Sequence, residues 1–202
     1  EELGMEFKDY VFTVLGGLWS RAHKPVKPLG TGYIETYTNY IADNGTEIEI
    51  MTDTKAESFI VKDGAVIGVN ASGKGGAVTL YANNGVVLAT GGFGANVEMR
   101  EQYNTIWPSL KEVKTTNHTG ATGDGIIMAE GINASVVGME NIQLLPMGDP
   151  QTGSLSGNIE QGVQNRIFVN KEGNRFVDEG ARRDVMTKAL MEQTDAYMWV
   201  IV

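Results

Sequence analysis

The chain carries 202 residues, a formal net charge of −9, 42% hydrophobic residues and no cysteine. That length holds one large or two small domains with a real core, and the acidity excludes a nonspecific nucleic-acid binder, which must turn a basic face to phosphates. Disulfides, thiolate metal sites and a cysteine nucleophile are excluded as well, and no run approaches the roughly 20 apolar residues of a membrane span, so direct membrane insertion is not expected.

In chain order, Glu6 to Trp19 reads as a short helix or irregular segment interrupted by Gly16-Gly17, and Pro25 and Pro28 mark the loop that follows. Tyr33, Ile34, Tyr37, Tyr40 and Ile41 fall at helical spacing, which predicts a helix over 32–43 with a left-handed stop at Asn44-Gly45. A β region follows, with strands expected at 47–51, 56–62, 65–72 and 77–82; Asp63-Gly64 between alternating runs is a hairpin signal. Val86-Val87-Leu88-Ala89 has no polar partner along its length, so it predicts a strand covered on both faces, as in a parallel sheet. Helices are expected from about Asn96 to Tyr103 and from Ile126 to Glu130, the second capped by Thr122 or Asp124. Residues 146–158 read as a long loop or domain crossover. A tight hairpin is expected about Lys171-Glu172-Gly173, then a helix from about Ala181 to Gln193. The start at Glu1, without an initiator Met, and the apolar close Tyr197-Met198-Trp199-Val200-Ile201-Val202, expected to be a buried strand, suggest a segment of a longer protein. The compartment stays open, cytoplasmic or exported.

Three clusters carry possible chemistry. Thr90-Gly91-Gly92 ends the apolar strand just before a helix, where a backbone without Cβ atoms can approach a nucleotide phosphate; tight strand-to-helix packing explains it as well. Small residues and backbone donors crowd Thr115-Thr116-Asn117-His118-Thr119-Gly120-Ala121-Thr122-Gly123-Asp124-Gly125, which alone could be an elaborate helix entry. Paired with the first cluster, a large flat cofactor becomes the better explanation. Arg182 and Arg183 sit at a helix start, against the dipole, where a guanidinium could clamp a carboxylate with Asp178, Glu179 and Asp184 orienting it; a solvated ion-pair network is the plainer alternative. His23 and His118 are the only histidines, without a metal-binding partner, and no G-x-S-x-G elbow is present.

Together these stretches resemble the flavoprotein of the fumarate reductase and succinate dehydrogenase superfamily, in its flavocytochrome c branch with fumarate and urocanate reductases. The carriers are Arg21-Ala22-His23-Lys24-Pro25, Leu88 to Phe93, Thr116-Asn117 with Gly120 to Gly125, and Ile167 to Glu179 with Arg183-Asp184. The resemblance implies an α/β fold of mixed α+β character: part of a Rossmann-like FAD-binding domain with a β-rich insertion over 1–142, then the start of a capping domain over 143–202. It implies FAD as cofactor, touched by Ala56, Thr90, Gly91, Gly92, Thr116, Asn117, Gly123 and Asp124. The G-x-G-x-x-G phosphate loop of such domains does not occur here, so this segment alone is expected to bind FAD weakly or not at all.

The same resemblance places Arg183 at the catalytic position, giving a proton to one alkene carbon of an α,β-unsaturated acid while a hydride from flavin N5 reaches the other. It implies a haem or FMN domain or protein as electron donor. Two departures bear on the substrate. Gln143-Leu144-Leu145-Pro146 has Leu145 where fumarate reductases carry a histidine, and Glu160-Gln161-Gly162-Val163 lacks the relay arginine, leaving Glu160 as a displaced relay residue. Both remove polarity, so a less polar or larger acid than fumarate is expected. Two other readings stay open: a dehydrogenase of the ketosteroid type, which would want a base rather than Arg183, and a non-catalytic flavin-binding electron-transfer module, favoured by the same two departures.

Overall fold

The structure, a computed structural model, describes residues 2–28, 30–155 and 165–202. Its elements in chain order are β1 (Phe7–Phe12), β2 (Ala22–Pro25), α1 (Thr31–Asp43), β3 (Thr54–Lys62), β4 (Ala65–Gly73), β5 (Gly76–Tyr81), α2 (Val97–Tyr103), α3 (Asp124–Glu130), β6 (Ile167–Val169), α4 (Arg183–Met191) and β7 (Trp199–Ile201), with a 3₁₀ turn at Thr194–Ala196. They fall into two units, each with its own core. One takes residues 2–28, 30–50, 144–146 and 165–202; the other takes 51–143 and 147–155.

In the first unit β1 pairs antiparallel with β2, and β6 with β7. The expected helix or irregular segment at Glu6 is therefore a strand. A period-2 partner at 22–25 decided it, which local spacing could not reveal. The helix α1 forms as its spacing predicts, and Asn44 closes it by donating its backbone N–H to Tyr40 O. Leu15, Phe168 and Met186 are almost completely buried and form the centre of this unit. The segment around Gly173 is a tight turn with a single bridge, Val169 to Arg175, because β6 spends its ladder on β7 instead. That β7 edge is not the buried strand expected: Trp199 and Ile201 are about half exposed, at 55% and 48%.

In the second unit β3, β4 and β5 form an antiparallel meander. Asp63 (φ 51°) and Gly64 (φ 79°) make the two-residue turn whose twist suits a hairpin. At the β4–β5 contact Gly68 lies where a Cβ would overlap Leu80 O. Met99, Leu110 and Ala71 are the buried apolar residues here.

Two expected strands do not form. Val86–Ala89 belongs to no ladder, and Val87 is 89% exposed. A parallel strand draws all its hydrogen bonds from neighbours, and among the described residues none pairs with it. Glu47 to Met51 alternates like a strand but is likewise unpaired and irregular, with Ile48 and Ile50 exposed. Among the described residues no helix is long and apolar enough to cross a membrane.

Candidate functional site

The two glycine clusters meet within the second unit. The backbone N–H of Ala95 donates to Ala121 O at 2.9 Å, and Asn96 Nδ2 donates to Thr122 O at 2.9 Å. Asn96 also caps α2, its Oδ1 accepting from Met99 N at 3.0 Å. One side chain thus starts the helix and ties it to the loop before α3. A Cβ on Gly94 would overlap the Asn117 side-chain amide, and one on Gly125 would overlap Thr90 Oγ1 and lie 2.9 Å from Leu88 Cδ1. Close packing between the clusters therefore accounts for Gly125.

Gly91 and Gly92 are different. Both are exposed, and nothing lies within 4 Å of the place where either Cβ would sit. The space in front of this backbone is open, with Thr90 exposed on one side and Thr116 and Asn117 exposed in the partner loop.

The expected cap of α3 is corrected by its geometry. Gly123 is the N-cap, in the left-handed region, and neither neighbour makes a side-chain cap. Instead Thr122 Oγ1 donates to Asp124 Oδ1 at 2.8 Å, while Lys55 Nζ reaches Asp124 Oδ2 at 3.1 Å. The Thr122 hydroxyl, followed by Lys55, holds the Asp124 carboxyl below the usual carboxylate range. Lys55 also brings β3, and with it half-buried Ala56, to the start of α3.

Arg183 is the first residue of α4, in the other unit, and is half-buried. Its Nε donates to Leu15 O at 2.8 Å. Arg182, the N-cap residue, is turned outward and paired with Asp184 (Nη2 to Oδ2, 2.6 Å). The two arginines thus do not share one task. Asp184 sits in the first turn, where a carboxylate suits the helix dipole, and its charge answers Arg182. The Arg182 bond holds the Asp184 carboxyl below its ordinary range. Just before, Glu179 is 4% exposed and accepts from Phe168 N at 2.7 Å and from Arg175 Nη2 at 2.6 Å. This clamp fixes the turn that leads into α4. Glu160 lies outside the described residues.

A sequence profile described as FAD binding domain matches residues 1–202. The chain belongs to the FAD binding domain family. It is 43% identical over 195 residues to the NADH:acrylate oxidoreductase of Vibrio harveyi, covering 95% of this chain and 19% of that protein. To the urocanate reductase of Eggerthella lenta it is 42% identical over 164 residues, covering 79% of this chain and 27% of the other. Among solved structures it superposes on the open conformation of a flavocytochrome c3 fumarate reductase with a TM-score of 0.73 and 31% identity, over 98% of this chain and 35% of that one. The chain therefore spans about a fifth to a third of these relatives. The family expected from the motifs is the one found, with its mixed α/β fold, and its cofactor is FAD.

The open backbone of Gly91 and Gly92 is a space that the described residues leave unfilled, and a backbone without Cβ atoms there is of the kind that can lie against a flat group such as FAD. Two grooves of ≈ 320 and ≈ 360 Å³, which share Leu3, Met5 and Thr36, involve none of the expected site residues. Among the described residues no three His, Asp or Glu side chains gather as metal ligands. Two features escaped sequence reasoning. Asn96 carried a signal, an Asn before a helical run, but its tie to Thr122 did not. Gly16 was read, with Gly17, only as an interruption, and Leu15 drew no reading at all.

Proposed function

We propose that this chain is the part of an FAD-dependent reductase of an α,β-unsaturated carboxylic acid that carries both a flavin cradle and the proton-donating arginine. The observation that carries the proposal is the anchorage of Arg183, a half-buried guanidinium held through Nε on a buried residue's carbonyl at a helix start. The likeness to an NADH:acrylate oxidoreductase and a urocanate reductase supports it.

FAD, when bound, supplies a hydride from N5 to one alkene carbon. Arg183 faces the demand created at the other carbon. A guanidinium is a poor acid in water, yet the developing carbanion is a far stronger base. A fixed cation stabilises that charge first and then gives up its proton, so positioning matters as much as acidity. Thr90, Gly91, Gly92, Thr116 and Asn117 hold the cofactor through backbone and short polar side chains, with Ala56, Gly123 and Asp124 completing the cradle. Residues 1–142 serve the FAD domain and 143–202 begin the cap. Glu160 returns the proton to Arg183.

Leu145 and the missing relay arginine leave the acid pocket less charged, which favours acrylate-like or larger acids over fumarate. Electrons come from a haem or FMN domain or protein. The test uses the full-length holoenzyme, reduced and mixed anaerobically with acrylate, urocanate and fumarate. We expect fastest reoxidation by one of the first two, and a loss of about 10²-fold or more on Arg183→Ala. Unchanged turnover in Arg183→Ala would sink the assignment.

A further inference from the structure

We propose that the corner formed by Leu15 and Gly16, in the connection between β1 and β2, is the seat that aims Arg183, which makes Gly16 a positioning residue for proton transfer. The inference rests on the reading of Arg183 as proton donor and adds what holds it in place.

The corner is rigid for reasons of its own. Leu15 is 1% exposed, so burial fixes where its carbonyl points. Gly17 N donates to Val14 O at 2.7 Å, closing a tight turn over 14–17. The base of the connection is tied by Arg21 N to Phe12 O at 3.3 Å and by the Thr13 and Ser20 hydroxyls at 2.9 Å. Onto this hook comes Arg183 from 168 residues away, its Nε donating to Leu15 O at 2.8 Å. With Nε committed to a carbonyl, the guanidinium is tethered to the corner at its inner end.

Gly16 is required there twice over. Its φ of +79° is a conformation that residues with a Cβ rarely adopt, and the space is taken as well. A Cβ would lie 2.7 Å from Arg183 Cγ, 3.3 Å from its backbone N and 3.5 Å from Cδ. The side-chain stem and the first residue of α4 thus pass directly over the glycine. Any side chain here pushes the stem and moves the guanidinium off Leu15 O, without removing a single charged group. A displacement of that size, of order an ångström, is enough to cost about a hundredfold in a positioned reaction.

The test is made in the full-length holoenzyme with acrylate as the probe acid. Gly16→Ala is expected to lower kcat about tenfold to a hundredfold and to change KM by less than about threefold. Gly16→Asn tolerates the left-handed backbone but brings the same Cβ, so it must lower kcat equally; recovery in Asn would make backbone strain the cause and overturn the proposal. Gly45→Ala places a Cβ at φ +59° with nothing within 4 Å, and is expected to keep the parent kcat. In an Arg183→Lys background, Gly16→Ala should change the residual rate by less than about twofold, because its route of action is already gone. An equal further loss there would show a general effect on the fold and overturn the proposal. The two readings separate cleanly: parent-like turnover in Arg183→Lys removes the proton donor and this inference together, whereas parent-like turnover in Gly16→Ala with Arg183→Lys inactive removes only the seat.

Discussion

Glu179→Gln is the sharpest probe of how the turn before α4 is held. In the parent, one buried carboxylate serves two residues: Oε1 accepts from Phe168 N at 2.7 Å, and Arg175 reaches both oxygens, through Nε at 3.1 and 3.2 Å and Nη2 at 2.6 Å. Glutamine has one oxygen and one NH₂. It can satisfy the Phe168 amide and turn a donor against Arg175, or the reverse; either way one charge-assisted bond is lost. Losing such a bond at a site 4% exposed costs about 1.5–3 kcal/mol. Arg175 is itself 56% exposed and can turn to water, so the ion pair adds little beyond that. The expected loss is about 2–3 kcal/mol, or about 4–12 °C in Tm for a domain of this size. Urea unfolding followed by tryptophan fluorescence measures it, and a midpoint equivalent to less than about 0.5 kcal/mol of change would refute the clamp. The pH dependence supplies a second check. Burial alone would push the Glu179 carboxyl up, but the bonds from Arg175 and Phe168 N outweigh it and hold the group below its ordinary value. Its stabilisation is therefore complete above the unfolded value of about 4.3 and is lost as pH falls through the lower folded value. The gap between parent and variant should be full at neutral pH and close in strong acid.

Two further substitutions address the flavin cradle. Gly125→Ala would bring a Cβ into Thr90 Oγ1 and within 3.0 Å of Thr90 Cβ, forcing Thr90 out of place; FAD affinity of the full-length apoprotein should fall about tenfold or more, equivalent to about 1.4 kcal/mol, and an unchanged Kd in a flavin-fluorescence titration would count against Thr90 as a contact. Asn96→Ala removes the cap of α2 and the bond to Thr122 O. Unfolding should show a loss of about 1–2 kcal/mol, and a parent-like midpoint would mean that the two glycine clusters are held together without it.

Elements that close on themselves were readable. The Tyr33 to Ile41 spacing with Asn44 as stop produced α1, and Asp63-Gly64 produced the β3–β4 turn, because a helix cap or a two-residue turn is decided within a few residues. Elements that need a distant partner were not. Phe7–Phe12 is a strand only because Ala22–Pro25 lies beside it, while Val86–Ala89, the most strand-like run, has no neighbour among the described residues and stays outside any ladder. The site divides in the same way. That two glycine clusters belong together was legible from composition, but the bonds joining them, Ala95 to Ala121 and Asn96 to Thr122, depend on register between segments 26 residues apart. The contact of Arg183 with Leu15 O, 168 residues away, leaves no local trace at all.

The glycines themselves then separate fold from ligand. Gly123 and Gly125 each lie where a Cβ would meet Met99 with Phe93, or Thr90 with Leu88, so the chain's own packing demands them, while one on Gly94 would meet only the movable amide of Asn117. Gly92 meets nothing: it has no left-handed backbone to require glycine, and a methyl group there would stand in open space. Its small size answers no need inside the described chain, and a glycine costs backbone entropy that alanine would not. On the function proposed above, a flat cofactor lying against the Thr90-Gly91-Gly92 backbone would occupy that space, which the described residues leave open.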